Sequence, residues 1–157
     1  MQDQQPLGSV TTCLSIGGQD FDPELLSRTL GVMPTSVWRP RAEAVRGNPN
    51  FNQVEWRYEI KNRPHWSLDD AIREILGIFA DKREQIATFS ERNKCSLHLR
   101  CLMHGDSTII IYEIRRGTLE LLAALGCSFS FWVDPLAQKE GESTGTGFNS
   151  APTSRPG

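Results

Sequence analysis

The chain has 157 residues, of which 38% are hydrophobic and 23% charged, with a formal net charge of −2. This length fits one domain with a real core, and the charge excludes a strong polybasic binder of nucleic acid. No apolar run approaches the roughly 20 residues of a membrane span, and the polar first nine residues do not resemble a secretory signal, so we expect a cytoplasmic protein without membrane contacts.

Both ends of the chain have a composition typical of unstructured segments. Thirteen of the seventeen residues from 141 to 157 are Gly, Ser, Thr, Pro or Asn, and such a segment buries too little apolar surface to offset its ordering entropy. We expect a flexible N-terminus over residues 1–9, a single domain over 10–136, and a disordered tail rich in Gly, Ser, Thr and Pro over 137–157.

The first half of the domain alternates short strands with one helix. Residues 10–16 alternate apolar and polar side chains, which predicts a strand with one buried face. Asp22-Pro23 is a typical helix start and Gly31 a typical helix end, so a short helix is expected between them. Residues 33–38 are predicted to be extended, residues 39–53 form a polar loop, and residues 54–60 alternate strictly as a half-buried strand.

The second half begins with a long predicted helix from the N-cap residue Ser67 to about Asn93, with a bend or close packing at Gly77. Residues 95–103 and 108–114 are predicted to pair as a hairpin through the turn at 104–107. A helix over residues 118–125 follows, with Leu119, Leu122 and Leu125 as its predicted buried stripe, and then a strand over residues 127–133. The strand is predicted to turn the side chains of Cys127, Phe129, Phe131 and Val133 inward.

These elements predict an α+β fold in which helices cover one face of an antiparallel-dominated sheet. From residue 54 onward the order is βαββαβ, the ferredoxin-like pattern. Glu24-Leu25-Leu26 leads to Leu30-Gly31 much as Glu120-Leu121-Leu122 leads to Leu125-Gly126. This echo suggests an internal duplication.

Residues 14–26, residues 30–39, the later Trp strand and the helix from Ser67 together resemble a bacterial family known as domain of unknown function 4279. The resemblance spans most of the domain and rests on Leu-Gly-Val-Met-Pro-Thr-Ser-Val-Trp-Arg at residues 30–39. Relatives often carry Lys-Gly after this Trp, where this chain has Arg39-Pro40-Arg41. By analogy alone, the resemblance implies an immunity protein that neutralises a toxin.

The first candidate binding surface is a stretch rich in tryptophan and arginine. Residues 39–63 hold six basic and three acidic side chains, and Trp and Arg dominate interface hot spots. The candidates are Trp38, Arg39, Arg41, Trp56 and Arg57. The alternative is that the two tryptophans anchor the core and the arginines form a solvated rim.

The second candidate surface lies on the sheet face opposite the predicted core. In the predicted hairpin His98 and Glu113 are cross-strand neighbours, with Arg100 beside them. Such a pair supports general acid–base chemistry when it lies in a cleft. The alternative is an ordinary cross-strand ion pair on an uncovered sheet face, which is itself a surface for binding a partner or ligand.

No cofactor or metal site is expected from the sequence. The cysteines Cys13, Cys95, Cys101 and Cys127 have no CxxC spacing, and we expect them to be reduced and packed as small hydrophobes. Asp20, Asp22, Asp69 and Asp70 lie at helix starts, where capping explains them better than metal binding.

The sequence therefore predicts a non-catalytic intracellular binding module with a protein partner, of the immunity type that the resemblance implies. The second hypothesis is an α+β domain that senses a small molecule. The third is an enzyme that uses His98 and Glu113. No catalytic motif favours this third hypothesis.

Overall fold

The computed structural model describes residues 8–40, 53–63, 67–105 and 112–135. Residues 1–7 and 136–157, which hold most of the predicted flexible ends, lie outside the described residues. The strands and helices, in chain order, are β1 (Gly8–Gly18), α1 (Pro23–Leu30), β2 (Ser36–Trp38), β3 (Val54–Arg63), α2 (Leu68–Phe79), α3 (Arg83–Asn93), β4 (Ser96–Gly105), α4 (Arg116–Ala124) and β5 (Cys127–Pro135).

The five strands form one sheet in the order β2-β3-β1-β4-β5. Three of the four strand pairs are antiparallel, and β4 and β5 are parallel. An antiparallel-dominated α+β fold is thus confirmed. The ferredoxin-like order is not confirmed, because that order would place β3 beside β5, whereas β3 lies beside β1 and β2. The internal duplication stays a prediction.

The core lies between one face of the sheet and the helices. Alternate residues of β1, among them Leu14 and Ile16, are fully buried, as are Ile72, Ile75 and Phe79 of α2. The β1 residues between them point to the other face, as the alternation predicts. The packing of the helices on a single face therefore determines which side chains of every strand remain available for function.

The helix starts follow the predicted capping. The Asp22 side chain accepts a hydrogen bond of 2.9 Å from the backbone N–H of Glu24, with Pro23 in the first turn. Ser67 accepts from the backbone N–H of Asp70 at 3.3 Å. Gly31 ends α1 in the left-handed region, with φ of 64°.

The predicted long helix is interrupted. A 3-10 turn over Ala80–Lys82 separates α2 from α3, three residues after Gly77, and α3 ends at Asn93 as predicted. A Cβ at Gly77 would meet no atom within 4 Å, so close packing at this glycine is not observed. The apolar periodicity is shared by both helices, and for that reason it could not reveal the break.

The predicted hairpin is wrong. Tyr112, Glu113 and Ile114 are not in a strand, and the rest of that predicted strand lies outside the described residues. Both edges of β4 are occupied, by β1 on one side and by β5 on the other. The local turn signal at residues 104–107 suggested a hairpin, but long-range pairing of β4 with β1 and β5 prevails.

Two details near the end of the domain also differ from the predictions. In α4, Thr118 and Leu122 are buried, whereas Leu119 is half exposed. In β5, Phe131 and Val133 lie opposite the core residues Cys101 and Met103 of β4, on the predicted face, but they are 44% and 42% exposed. Since β5 is an edge strand, the core covers it less completely than it covers β1.

Candidate binding site

The sheet face opposite the core carries a cleft of about 650 Å³. Every strand contributes to it, and none of the described helices does. We call this surface the open-face cleft. Its lining residues are Ser15, Gly17, Trp38, Gln53, Glu55, Arg57, Ser96, His98, Arg100, Ser128, Ser130 and Trp132.

Strand register brings the polar residues of the cleft into one row across the sheet. Arg57 of β3 is opposite Ser15 of β1, Ser15 is opposite His98 of β4, and His98 is opposite Ser128 of β5. Side chains opposite one another on one face lie about 5 Å apart at Cβ. The row therefore forms a continuous polar floor.

Glu55 binds two arginines at the centre of this floor. Its Oε2 accepts from Nε of Arg57 at 2.9 Å and also from Nη2 of that residue, and its Oε1 accepts from Nη2 of Arg100. The Glu55 side chain is only 18% exposed, so these contacts are charge-assisted and partly desolvated. Arg100 also donates to the hydroxyl of Ser15 at 3.2 Å.

The His98 ring is held between two serines of β5. Its Nδ1 contacts the hydroxyl of Ser128, and its Nε2 lies 2.8 Å from the hydroxyl of Ser130. The Ser128 hydroxyl also donates to the backbone carbonyl of Leu97 at 3.2 Å. These contacts fix the ring orientation in the cleft floor.

Two tryptophans border the cleft at opposite edges of the sheet. Trp38 lies on β2 and is half-buried, whereas Trp132 lies on β5 and is 52% exposed. Sequence reasoning missed Trp132 because it considered only the inward-facing residues of β5. The alternation of that strand, which places Ser128, Ser130 and Trp132 on one face, is the signal that could have found it.

Of the residues predicted for the site, Trp38, Arg57, His98 and Arg100 line the cleft. Arg39 is exposed at the end of β2 and does not line it, and Arg41 lies outside the described residues. Trp56 is fully buried, and its Nε1 donates to the hydroxyl of Ser27 at 3.0 Å. Trp56 therefore anchors the core, as the alternative interpretation held, and its ring is not available to a ligand.

Glu113 is not beside His98. It is exposed in the segment between β4 and α4, and the strand neighbours of His98 are Ser15 and Ser128. The acid–base pair that the third hypothesis required is therefore not formed. The physical reason is that β5 occupies the edge of β4 that the predicted hairpin strand would have used.

A smaller pocket of about 410 Å³ adjoins the cleft and shares Arg57, Arg100 and Trp132 with it. Cys13 lies there on β1. Burial raises the pKa of the Cys13 thiol, and the nearby Arg100 guanidinium opposes that rise only partly. At neutral pH this thiol is protonated and is a poor nucleophile.

The described residues contain no group of three or more His, Cys, Asp or Glu side chains placed to hold a metal ion. Within the same described part of the chain, no helix has the length and apolarity to span a membrane. What the cleft offers chemically is a set of hydrogen-bond donors and acceptors, two guanidinium groups and two indole rings.

Residues 9–136 match the family model described as "Domain of unknown function (DUF4279)". The match covers most of the chain and all of the described sheet except Gly8, so the chain belongs to this family. No curated protein and no solved structure matches the chain.

Proposed function

We propose that the protein is a non-catalytic binding module that recognises a protein partner with its open-face cleft. The observation that carries the proposal is the difference between the two faces of the sheet. The helices cover one face, and the other face holds a cleft bordered by Trp38 and Trp132 with Arg57 and Arg100 in its floor. Trp and Arg are the residue types that contribute most to protein interfaces.

The hydrogen bonding of His98 supports a binding role over a catalytic one. Both ring nitrogens are engaged by serine hydroxyls, whereas a general base is oriented by a carboxylate or a backbone carbonyl on one nitrogen and keeps the other for the substrate. In its specific form, the proposal is that the protein is an immunity protein that neutralises a toxin inside the cell.

Affinity capture with three immobilised baits tests the proposal: the wild-type protein, the double variant Trp38→Ala/Trp132→Ala, and the control Leu119→Ala. Leu119 is half exposed on α4, on the covered side of the sheet. We expect a protein from native lysate that wild type and L119A retain and the double variant loses. Identical sets of proteins on all three baits would contradict the proposal.

The cleft volume supports a second candidate, the sensing of a small molecule. Ligand pockets for drug-sized molecules measure about 300–1,000 Å³, and the cleft measures about 650 Å³. A ligand of the folded state raises the melting temperature by mass action. This candidate requires a metabolite that raises the melting temperature of the wild type but not that of W38A/W132A.

A further inference from the structure

The floor of the open-face cleft has an excess of positive charge. Two guanidinium groups, those of Arg57 and Arg100, line the cleft with one carboxylate, that of Glu55, which leaves a local charge of +1. The chain as a whole carries −2, so this excess is a local feature. Both arginine side chains remain about one-third exposed, at 34% and 32%, and a ligand in the cleft can reach them.

The two arginines retain hydrogen-bond donors that Glu55 does not use. Glu55 engages Nε and Nη2 of Arg57 and Nη2 of Arg100. Each guanidinium has five N–H donors. Within the described residues Arg57 uses two of them on Glu55, and Arg100 uses two on Glu55 and Ser15 and also lies beside the Cys13 thiol. The planar guanidinium fork matches a carboxylate in geometry. Two arginines share the single carboxylate of Glu55. Their unused N–H groups therefore favour the binding of a second carboxylate, which a ligand would supply.

The serine hydroxyls of the floor complement those donors with acceptors. Ser15 donates its hydrogen to the backbone carbonyl of His98 at 3.3 Å, and Ser128 donates to the carbonyl of Leu97 at 3.2 Å. Ser15 also accepts from Arg100, and Ser128 also contacts Nδ1 of His98, so each hydroxyl oxygen keeps one lone pair for a group that donates. A peptide combines both requirements, because its backbone N–H groups donate and an acidic side chain accepts.

The positions of the tryptophans determine the length of the ligand. Trp38 lies on β2 and Trp132 on β5, at opposite edges of the sheet. Trp38 is level with Ser96 of β4, whereas Trp132 pairs with Leu102, six residues further along that strand. Four strand spacings of about 4.8 Å across the sheet and six residues of about 3.3 Å along it give a diagonal of roughly 28 Å. A segment of about eight extended residues is therefore needed to contact both rings.

We infer that the open-face cleft binds an extended acidic segment of a protein partner, with a carboxylate held by Arg57 and Arg100 and the two ends of the segment against Trp38 and Trp132. This inference rests on the proposed function and specifies the chemistry of the partner. The cleft is expected to bind an acidic peptide more tightly than a basic or a neutral one.

The test is a titration of the full chain with three capped octapeptides, octaglutamate, octaglutamine and octalysine, monitored by calorimetry at low salt. We expect octaglutamate to bind at least tenfold more tightly than octaglutamine, and octalysine not to bind. Arg100→Gln should weaken octaglutamate binding about tenfold. Glu55→Gln should strengthen it, because that variant raises the local charge from +1 to +2.

Arg83→Gln is the matched control, since Arg83 is exposed at the start of α3 and its loss changes the net charge equally. If R83Q weakens binding as much as R100Q does, the attraction is nonspecific and the inference is wrong. If octalysine binds the wild type and E55Q weakens that binding, the inference is also wrong. Circular dichroism verifies folding, and Arg57→Gln replaces R100Q if that variant unfolds.

Inorganic phosphate is the final probe. Phosphate that binds with the same dependence on Arg100 and displaces octaglutamate fully would show a site for a small anion, which contradicts an extended ligand. A lysate partner that W38A/W132A loses but R100Q and E55Q retain unchanged would refute the acidic segment and leave the proposed function intact.

Discussion

The Asp69 side chain accepts a hydrogen bond of 2.8 Å from the backbone N–H of Arg115, the N-cap residue of α4. Arg115 has no side-chain cap of its own, so a carboxylate from the first turn of α2 caps the start of α4. Asp69 is 1% exposed, and the Arg115 guanidinium lies 3.8 Å from its other oxygen. One buried acid therefore connects two helices on the covered face of the sheet.

Asp69→Ala is expected to lower the free energy of unfolding by about 2 kcal/mol, because the lost cap is a buried, charge-assisted hydrogen bond and the Arg115 backbone N–H is left without its acceptor. The neighbouring variant Asp70→Ala is the control. Asp70 is exposed, so its effect should stay near 0.5 kcal/mol, as for a charge at a helix end. Urea unfolding at pH 7 measures both, and equal losses would contradict the capping role of Asp69.

The same carboxylate predicts a pH dependence. Burial raises the pKa of Asp69, but the nearby Thr118 hydroxyl, the Arg115 backbone N–H and the Arg115 and Arg73 guanidiniums outweigh burial, so the net pKa is lowered. A lowered pKa in the folded state contributes stability that is present above the unfolded pKa, about 3.9, and lost as the pH falls through the folded value. The stability difference between wild type and D69A should shrink below pH 4 and stay constant from pH 5 to 7.

Two glycines are expected to respond oppositely to the same substitution. A Cβ on Gly18 would lie 2.7 Å from Sγ of Cys95 and 3.3 Å from Cδ1 of Phe21, so Gly18→Ala should destabilise by about 1–3 kcal/mol through overpacking. Gly77→Ala meets no atom within 4 Å and should stabilise α2 by about 0.5–1 kcal/mol. Thermal unfolding measures both, and Cys95→Ala should partly rescue G18A if the clash is the cause.

The parts of the fold that are local in sequence were predictable. The alternation of β1 and β3 and the caps at Asp22, Ser67 and Gly31 gave the correct elements, because these signals depend on neighbours a few residues away. The strand order was not predictable. It depends on which distant strands compete for the edges of β4, and no local pattern in residues 95–114 shows that β1 and β5 occupy both of those edges.

The candidate site was predicted in part for the same reason. The face shared by His98 and Arg100 follows from alternation within β4, and the structure places both in the cleft. Glu55 did not enter the prediction, since its role comes from the pairing of β3 with β1 that brings it to Arg100. The sequence left two interpretations of Trp56 open. Alternation separates the two faces of a strand, but it does not indicate which face the helices cover.

The buried hydrogen bond between Trp56 and Ser27 supports a double-mutant cycle. Nε1 of Trp56 donates to the Ser27 hydroxyl, which donates in turn to the carbonyl of Pro23 at 2.9 Å. Ser27→Ala leaves the buried indole N–H without its acceptor and should cost about 1–3 kcal/mol. In the Trp56→Phe background the same substitution should cost less, with a coupling of at least about 0.5 kcal/mol from denaturant unfolding. Additive losses would mean that the contact contributes no stability.

The buried thiols should be nearly unreactive in the folded protein. Burial raises the pKa of Cys101 to about 12, with Cys127 and Cys13 adding to the rise, and burial also raises the pKa of Cys127 to about 12. Since only the thiolate reacts with iodoacetamide, labelling of Cys101 at pH 7.5 should be at least about a hundredfold slower than in urea. Peptide mapping by mass spectrometry measures both rates. Comparable rates with and without urea would contradict the burial of Cys101.

The contacts of His98 predict its tautomer. The Ser128 hydroxyl donates its only hydrogen to the carbonyl of Leu97, so in its contact with Nδ1 of His98 it is the acceptor and Nδ1 carries the hydrogen. In the neutral ring Nε2 then accepts from the Ser130 hydroxyl, 2.8 Å away. Long-range proton–nitrogen correlation spectra at pH 8 should show the Nδ1–H form, whereas free histidine favours the other tautomer. Ser128→Ala removes the acceptor and should shift the population toward Nε2–H. An Nε2–H ring in the wild type would mean that the Ser128 hydroxyl points at the imidazole instead of the backbone.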